Sequence, residues 1–146
     1  MTKIKYNLSE ILKKRILVLD GAMGTMIQQC ELDESDFRGE LFANHDYDLI
    51  GNNDILCLTN PNIISDIHKK YLESGCDIIE TNTFNSNSIS QTDYGTQAYC
   101  YDINKRAAEL AKKACEIYST YEKPRFVAGA VGPTNKTLSI SPRVEE

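Results

Sequence analysis

Apolar residues along this chain gather into three short runs, and helical periodicity fills most of the sequence between them. Residues 16–19, Ile-Leu-Val-Leu, form an unbroken apolar run stopped by Asp20-Gly21. A run of this kind bounded by glycine predicts a strand buried on both faces, as in a parallel sheet. Residues 76–80 (Cys-Asp-Ile-Ile-Glu) predict a second strand, and residues 126–131 a third, broken by Gly132-Pro133. Between the first two runs, Asn60 as a cap and Pro61 at the first helical position open a helix. Its Ile63, Ile64, Ile67, Tyr71 and Leu72 share a face, and Gly75 ends it. Between the second and third, Ile103, Ala107, Leu110, Ala111, Ala114 and Ile117 mark a long helix from Gln97 to Tyr118. A short helix capped by Asn7 or Ser9 and running to about Arg15, and another over residues 22–29, complete the regular elements. Residues 30–60 show no clear period, which predicts a functional loop or lid, with a short strand at 55–58.

Strand, helix, strand, helix, strand implies an α/β fold with a parallel sheet. Three strands leave two open edges, and residues 134–146 read as a loop with no helix to cover the third strand. The pattern is that of an unfinished sheet. Its exposed apolar faces predict self-association, because large apolar patches are poorly tolerated on monomers.

Composition changes this picture little. The 146 residues are 41% hydrophobic and 25% charged, ordinary for a globular protein, and the net charge of −5 argues against a general affinity for nucleic acid or an anionic membrane. Charge is uneven: residues 31–54 hold eight acidic residues against Arg38, which reads as a solvated acidic loop rather than a partner surface. Five cysteines (Cys30, Cys57, Cys76, Cys100, Cys115) at irregular spacing, with no CxxC, suit a reducing cytoplasmic setting better than a disulfide framework, and give no metal-site pattern. No run reaches the length of a membrane span or a signal sequence.

In parallel α/β folds, ligands meet the carboxyl ends of the strands. Three clusters lie there: residues 20–25 (Asp-Gly-Ala-Met-Gly-Thr), 80–84 (Glu-Thr-Asn-Thr-Phe) and 129–134 (Gly-Ala-Val-Gly-Pro-Thr). Asp20 can accept hydrogen bonds from a substrate ammonium, while the glycines let backbone approach and the N–H groups opening the next helix face a carboxylate. The alternative is that Asp20 caps that helix and the glycines only turn the chain. Glu80 orients substrate or, on the structural reading, is bonded within the sheet. Phe84 walls a pocket or belongs to the core. His68 reads as a packing or surface residue, Cys76 and Cys115 as small core residues, and Cys30 as more exposed.

Five motifs carry a resemblance. LDGAMGTMIQ (19–28), DFRGE (36–40), GNND (51–54), SGCDIIETNTFNSN (74–87) and AGAVGPTNKTLSISP (128–142) resemble, in order and spacing, the amino-terminal module of cobalamin-dependent methionine synthases. The resemblance implies that residues 1–146 are the amino-terminal portion of a homocysteine-binding domain, roughly the first three βα units of a (β/α)8 TIM barrel. In that family homocysteine is activated by a zinc ion on three cysteine thiolates. It is then methylated from methylcobalamin, which 5-methyltetrahydrofolate recharges, to give methionine. Matched residue by residue, Asp20 falls on the aspartate that meets the substrate amino group, Gly21 and Ala22 on backbone beside the substrate, and Phe84 on a pocket aromatic.

The departures matter as much. The family's zinc cysteines lie in Asn-Cys and Gly-Gly-Cys-Cys contexts that do not occur here, and none of the five cysteines matches them. No catalytic or metal-binding residue is therefore assigned. Zinc and cobalamin are expected only in an intact protein, this stretch alone is expected to be inactive, and a barrel of this type needs about 250 residues. Two other readings stay open: a free-standing small α/β ligand-binding module without catalysis, and a cobalamin-independent homocysteine S-methyltransferase.

Overall fold

The computed structural model describes residues 7–134 and 136, so the predicted loop at 134–146 and the end of the 128–142 motif lie largely outside the described residues. Helix α1 (Leu8–Leu12) opens at Asn7, whose side chain accepts from the Ser9 N–H at 3.1 Å. After α2 (Met23–Gln28) comes α3 (Glu34–Arg38), opened by a reciprocal capping box between Asp33 and Asp36. A 3-10 turn at Asn53–Ile55 leads into α4 (Leu56–Thr59) and then α5 (Pro61–Glu73). Strand β1 (Ile78–Glu80) is followed by α6 (Ser88–Gln91), α7 (Cys100–Tyr118) and β2 (Phe126–Ala128).

Strands β1 and β2 pair in parallel, with Ile79 opposite Val127. On the other side of β1, Leu19 forms a single parallel bridge with Ile78. The order across the sheet is therefore residues 18–20, β1, β2. This confirms three parallel segments but corrects the first: residues 16–19 are not buried on both faces, since Ile16 is 88% exposed and Val18 and Leu19 are exposed too. Among the described residues this segment pairs with β1 alone.

The core lies on the helical side. Helix α5 ends in two backbone bonds, Gly75 N–H to the Leu72 carbonyl and Cys76 N–H to that of Tyr71. They wrap the helix end around Gly75, whose φ of +101° favours glycine. The chain is thereby turned straight into β1. Helix α7 lies against α5, and its buried Ala111, Ala114 and Cys115 pack with Leu72, Cys76 and Ile79 between the helices and the sheet. Cys76 and Cys115 are thus core residues and Cys30 is exposed. His68 is wholly buried, with neither ring nitrogen hydrogen-bonded among the described residues.

The acidic excursion differs most from its sequence reading. Residues 55–58 are helical rather than extended, and Phe37, Phe42 and Leu49 are core residues. Its charges are used locally: Glu34 pairs with Arg38 at 2.6 Å and accepts from the Leu49 and Ile50 N–H groups. A segment that folds around its own acid–base pair and a few aromatic anchors shows no long period to betray it.

Candidate functional site

The three strand ends converge on one cleft of about 390 Å³, lined by residues 20–24, 80–84 and Ala130. All four residues singled out from the sequence line it: Asp20, Gly21, Ala22 and Phe84. The cleft thus lies at the carboxyl ends of parallel strands, where ligands meet folds of this kind.

Asp20 reaches this position because the edge segment is tied to β1 at both ends. Below, Arg15 forms a two-pronged bond with the buried Asp77 at 2.9 and 2.8 Å, and Asp77 also accepts from the Val18 N–H. Above, the Asp20 N–H donates to the Ile78 carbonyl, and both oxygens of its own carboxylate accept from the Glu80 N–H at 3.1 Å. Asp20 does not cap α2: the residue at the cap is Ala22, with no side-chain cap bond. Half-burial pushes the Asp20 carboxyl up to about 6 despite the Glu80 N–H, and the nearby Glu80 charge adds to the rise. Glu80 itself is exposed at the rim rather than buried as a sheet-bound carboxylate. Behind the glycine, the Tyr71 hydroxyl of α5 donates to the Ala22 carbonyl at 3.4 Å and packs on Gly21.

The second wall is built by hydroxyls that the sequence reading left undecided. Thr81 and Thr83 share a hydrogen bond of 2.7 Å; Thr83 donates to the Ala130 carbonyl and Thr81 accepts from the Ala130 N–H. These bonds extend the β1–β2 pairing past the strand ends. Phe84 is 56% exposed, a wall rather than a core residue. Gly132 holds it there: its N–H donates to the Phe84 carbonyl at 2.9 Å, and a Cβ on Gly132 would fall 2.7 Å from the Phe84 ring. Gly132, like Thr81 and Thr83, was legible only as part of a small, polar strand end.

The cysteines do not fit a thiolate metal centre. Burial raises the Cys57 and Cys115 thiols to about 12, and no group of three or more His, Cys, Asp or Glu side chains gathers as a metal site among the described residues. Among the same residues, no helix is long and apolar enough to cross a membrane.

Comparison with known proteins decides the family. The homocysteine S-methyltransferase family model matches residues 17–146, nearly the whole chain. The chain belongs to the homocysteine S-methyltransferase family. Its structure is similar to that of the homocysteine methyltransferase MmuM from Escherichia coli. The metallated form matches with a TM-score of 0.65 at 25% identity over 86% of this chain, and the oxidized form with 0.67 at 25% over 88%. The chain spans 41% of the MmuM chain in each case. Within this family the mixed α/β arrangement, with its cleft at the carboxyl ends of parallel strands, is a homocysteine S-methyltransferase-like domain.

Proposed function

We propose that the cleft holds the amino-acid end of homocysteine, and that residues 1–146 supply the amino-terminal part of a (β/α)8 barrel. The observation that carries this reading is the convergence of Asp20, Gly21, Ala22 and Phe84 on one cleft, in a chain of this family. The Asp20 carboxylate, fixed by the Glu80 N–H, receives the substrate ammonium, and the exposed Glu80 beside it adds attraction. Docking of a cation favours the ionised form of Asp20 and offsets the cost of its burial. The backbone at Gly21 and Ala22 flanks the ammonium, and the Phe84 ring lines the thiol-bearing chain, a contact that sulfur favours.

Methyl transfer belongs to the intact enzyme. The thiolate-activating metal has no ligand set among the described residues, so no chemical step is assigned to them. The GNND motif at 51–54 and the motif at 128–142 support a methylcobalamin donor recharged by methyltetrahydrofolate, as in methionine synthases. The structural match to MmuM supports the second reading, a cobalamin-independent homocysteine S-methyltransferase. The five free cysteines suit a reducing cytoplasm.

Nuclear magnetic resonance mapping with L-homocysteine tests the site. Millimolar ligand is expected to shift amides at 20–24 and 80–84 in the wild-type chain, and Asp20→Asn to abolish the shifts. Shifts confined to other surfaces, or unaltered by the substitution, overturn the reading.

A further inference from the structure

The loop between β1 and α7 hangs from three consecutive residues that the cleft itself does not include. Asn52 and Gln91, both buried, exchange amide bonds of 2.9 and 3.1 Å, and Thr96 donates to the Gln91 side-chain oxygen at 2.6 Å. The carbonyl of Asn53 accepts from the Asn82 side chain at 2.8 Å. Asp54, 3% exposed, accepts on one oxygen from the Asn85 N–H at 2.6 Å and from the Ser86 hydroxyl at 2.9 Å. The turn at 52–54 therefore grips the loop at its start, middle and end.

Phe84 sits inside this span, one residue before the amide that Asp54 holds. Its ring is exposed, so packing alone does not fix it. Its backbone is held from two sides, by Gly132 and through Asn85 by Asp54. A buried carboxylate accepting two hydrogen bonds is a strong tether, because releasing either donor leaves buried charge less satisfied.

We propose that the 52–54 turn clamps the loop at 82–91, with Asp54 as the positioning residue that fixes Phe84 at the rim of the cleft. Its bearing on substrate rests on the function proposed above; the clamp itself does not. The side-chain bonds of Asn52 and Asp54 explain why these two polar residues sit in a segment otherwise without period, while Asn53 contributes its backbone carbonyl. They assign to that turn the shape of the cleft's aromatic wall.

The test compares wild type, Asp54→Ala, Asp54→Asn and the milder Ser86→Ala in the full 146-residue chain, reading amide exchange and the Phe84 ring resonances. Asp54→Ala is expected to speed exchange of the Asn85 amide about tenfold. It also shifts the Phe84 ring, while Leu110 and Ala111 in α7 keep wild-type protection. Asp54→Asn, which retains an acceptor oxygen, restores most of the protection, and Ser86→Ala gives a smaller change at the same residues should Asp54→Ala not fold. An unmoved Phe84 ring, or exchange accelerated equally in α7, overturns the clamp. A separate L-homocysteine titration of wild type keeps the two claims apart: selective loosening at 84–86 with no ligand response upholds the clamp and overturns the substrate reading.

Discussion

The edge segment at 16–20 carries a longer apolar run than the central strand β1 and lies hydrogen-bonded to it, yet Ile79 of β1 is fully buried while Ile16 is 88% exposed. The difference lies in what stands beside each. Strand β1 has a neighbour on both sides and has α5 and α7 against one face, whereas among the described residues the edge segment pairs with β1 alone. An apolar run thus announces that a segment is to be covered, but the covering element is a property of the assembled fold. The edge is held instead by polar bonds at its two ends, Arg15 to Asp77 below and Asp20 to the Glu80 N–H above. Its upper anchor is the residue that the proposed function uses.

The centre should be the costlier place to cut. Ile79→Ala removes a buried side chain between α5, α7 and the sheet, and is expected to lower stability by about 2–5 kcal/mol in denaturant titration. A loss below about 1 kcal/mol would mean the core does not depend on β1 as described. Asp77→Ala attacks the junction between the two regions. It strips two Arg15 bonds and the Val18 N–H bond, and roughly 1–2 kcal/mol is expected, with exchange accelerated at Val18 and Asp20 ahead of α7. Uniform acceleration would deny the edge its independence.

The two anchors respond to pH in opposite senses. The Arg15 hydrogen bonds hold the Asp77 carboxyl below its ordinary 3.8. Its contribution is therefore present above about pH 4 and is lost as pH falls through the depressed value. Burial raises Asp20 to about 6, so its contribution is present below about pH 4 and is lost as pH rises through 6. Amide protection at 18–20 is expected to be greatest between these limits, and Asp20→Asn should flatten the alkaline side alone. A profile that keeps rising to pH 8 would contradict the assignment. The smallest effect is expected at the outer edge, where Ile16→Ser should change stability by no more than about 0.5 kcal/mol. If that apolar edge drives association, the same variant shifts sedimentation toward monomer.

Periodicity located α5 and α7 because each buries a regular face; Ile103, Ala107, Leu110 and Ala111 sit where their spacing placed them, although Ile117 at the end of the same stripe is exposed. The strands were legible as short apolar runs, not as buried faces, since Val127 in β2 is exposed. Periodicity missed the helical character of residues 55–58, a short apolar stretch whose partners are distant in sequence. It also missed the burial of Phe37, Phe42 and Leu49, held by a capping box and by Glu34 rather than by a repeat. At the site, Asp20 and Gly21 were legible because strand ends in parallel folds face one rim, whereas Ala22 and the pocket role of Phe84 were implied by the family resemblance. The work of Asp54, Gly132 and the Thr81–Thr83 pair on Ala130 was not legible, since a hydrogen bond between residues distant in the chain, as from the Asn85 N–H and Ser86 hydroxyl to Asp54, leaves no local pattern.

The most direct measurement follows the side-chain carboxyl carbon of Asp20 through a pH titration, with and without L-homocysteine. Docking of the substrate ammonium should bring this group down from about 6 toward the ordinary 3.8, and the des-amino analogue should leave it in place. A titration curve that homocysteine does not move would contradict the site.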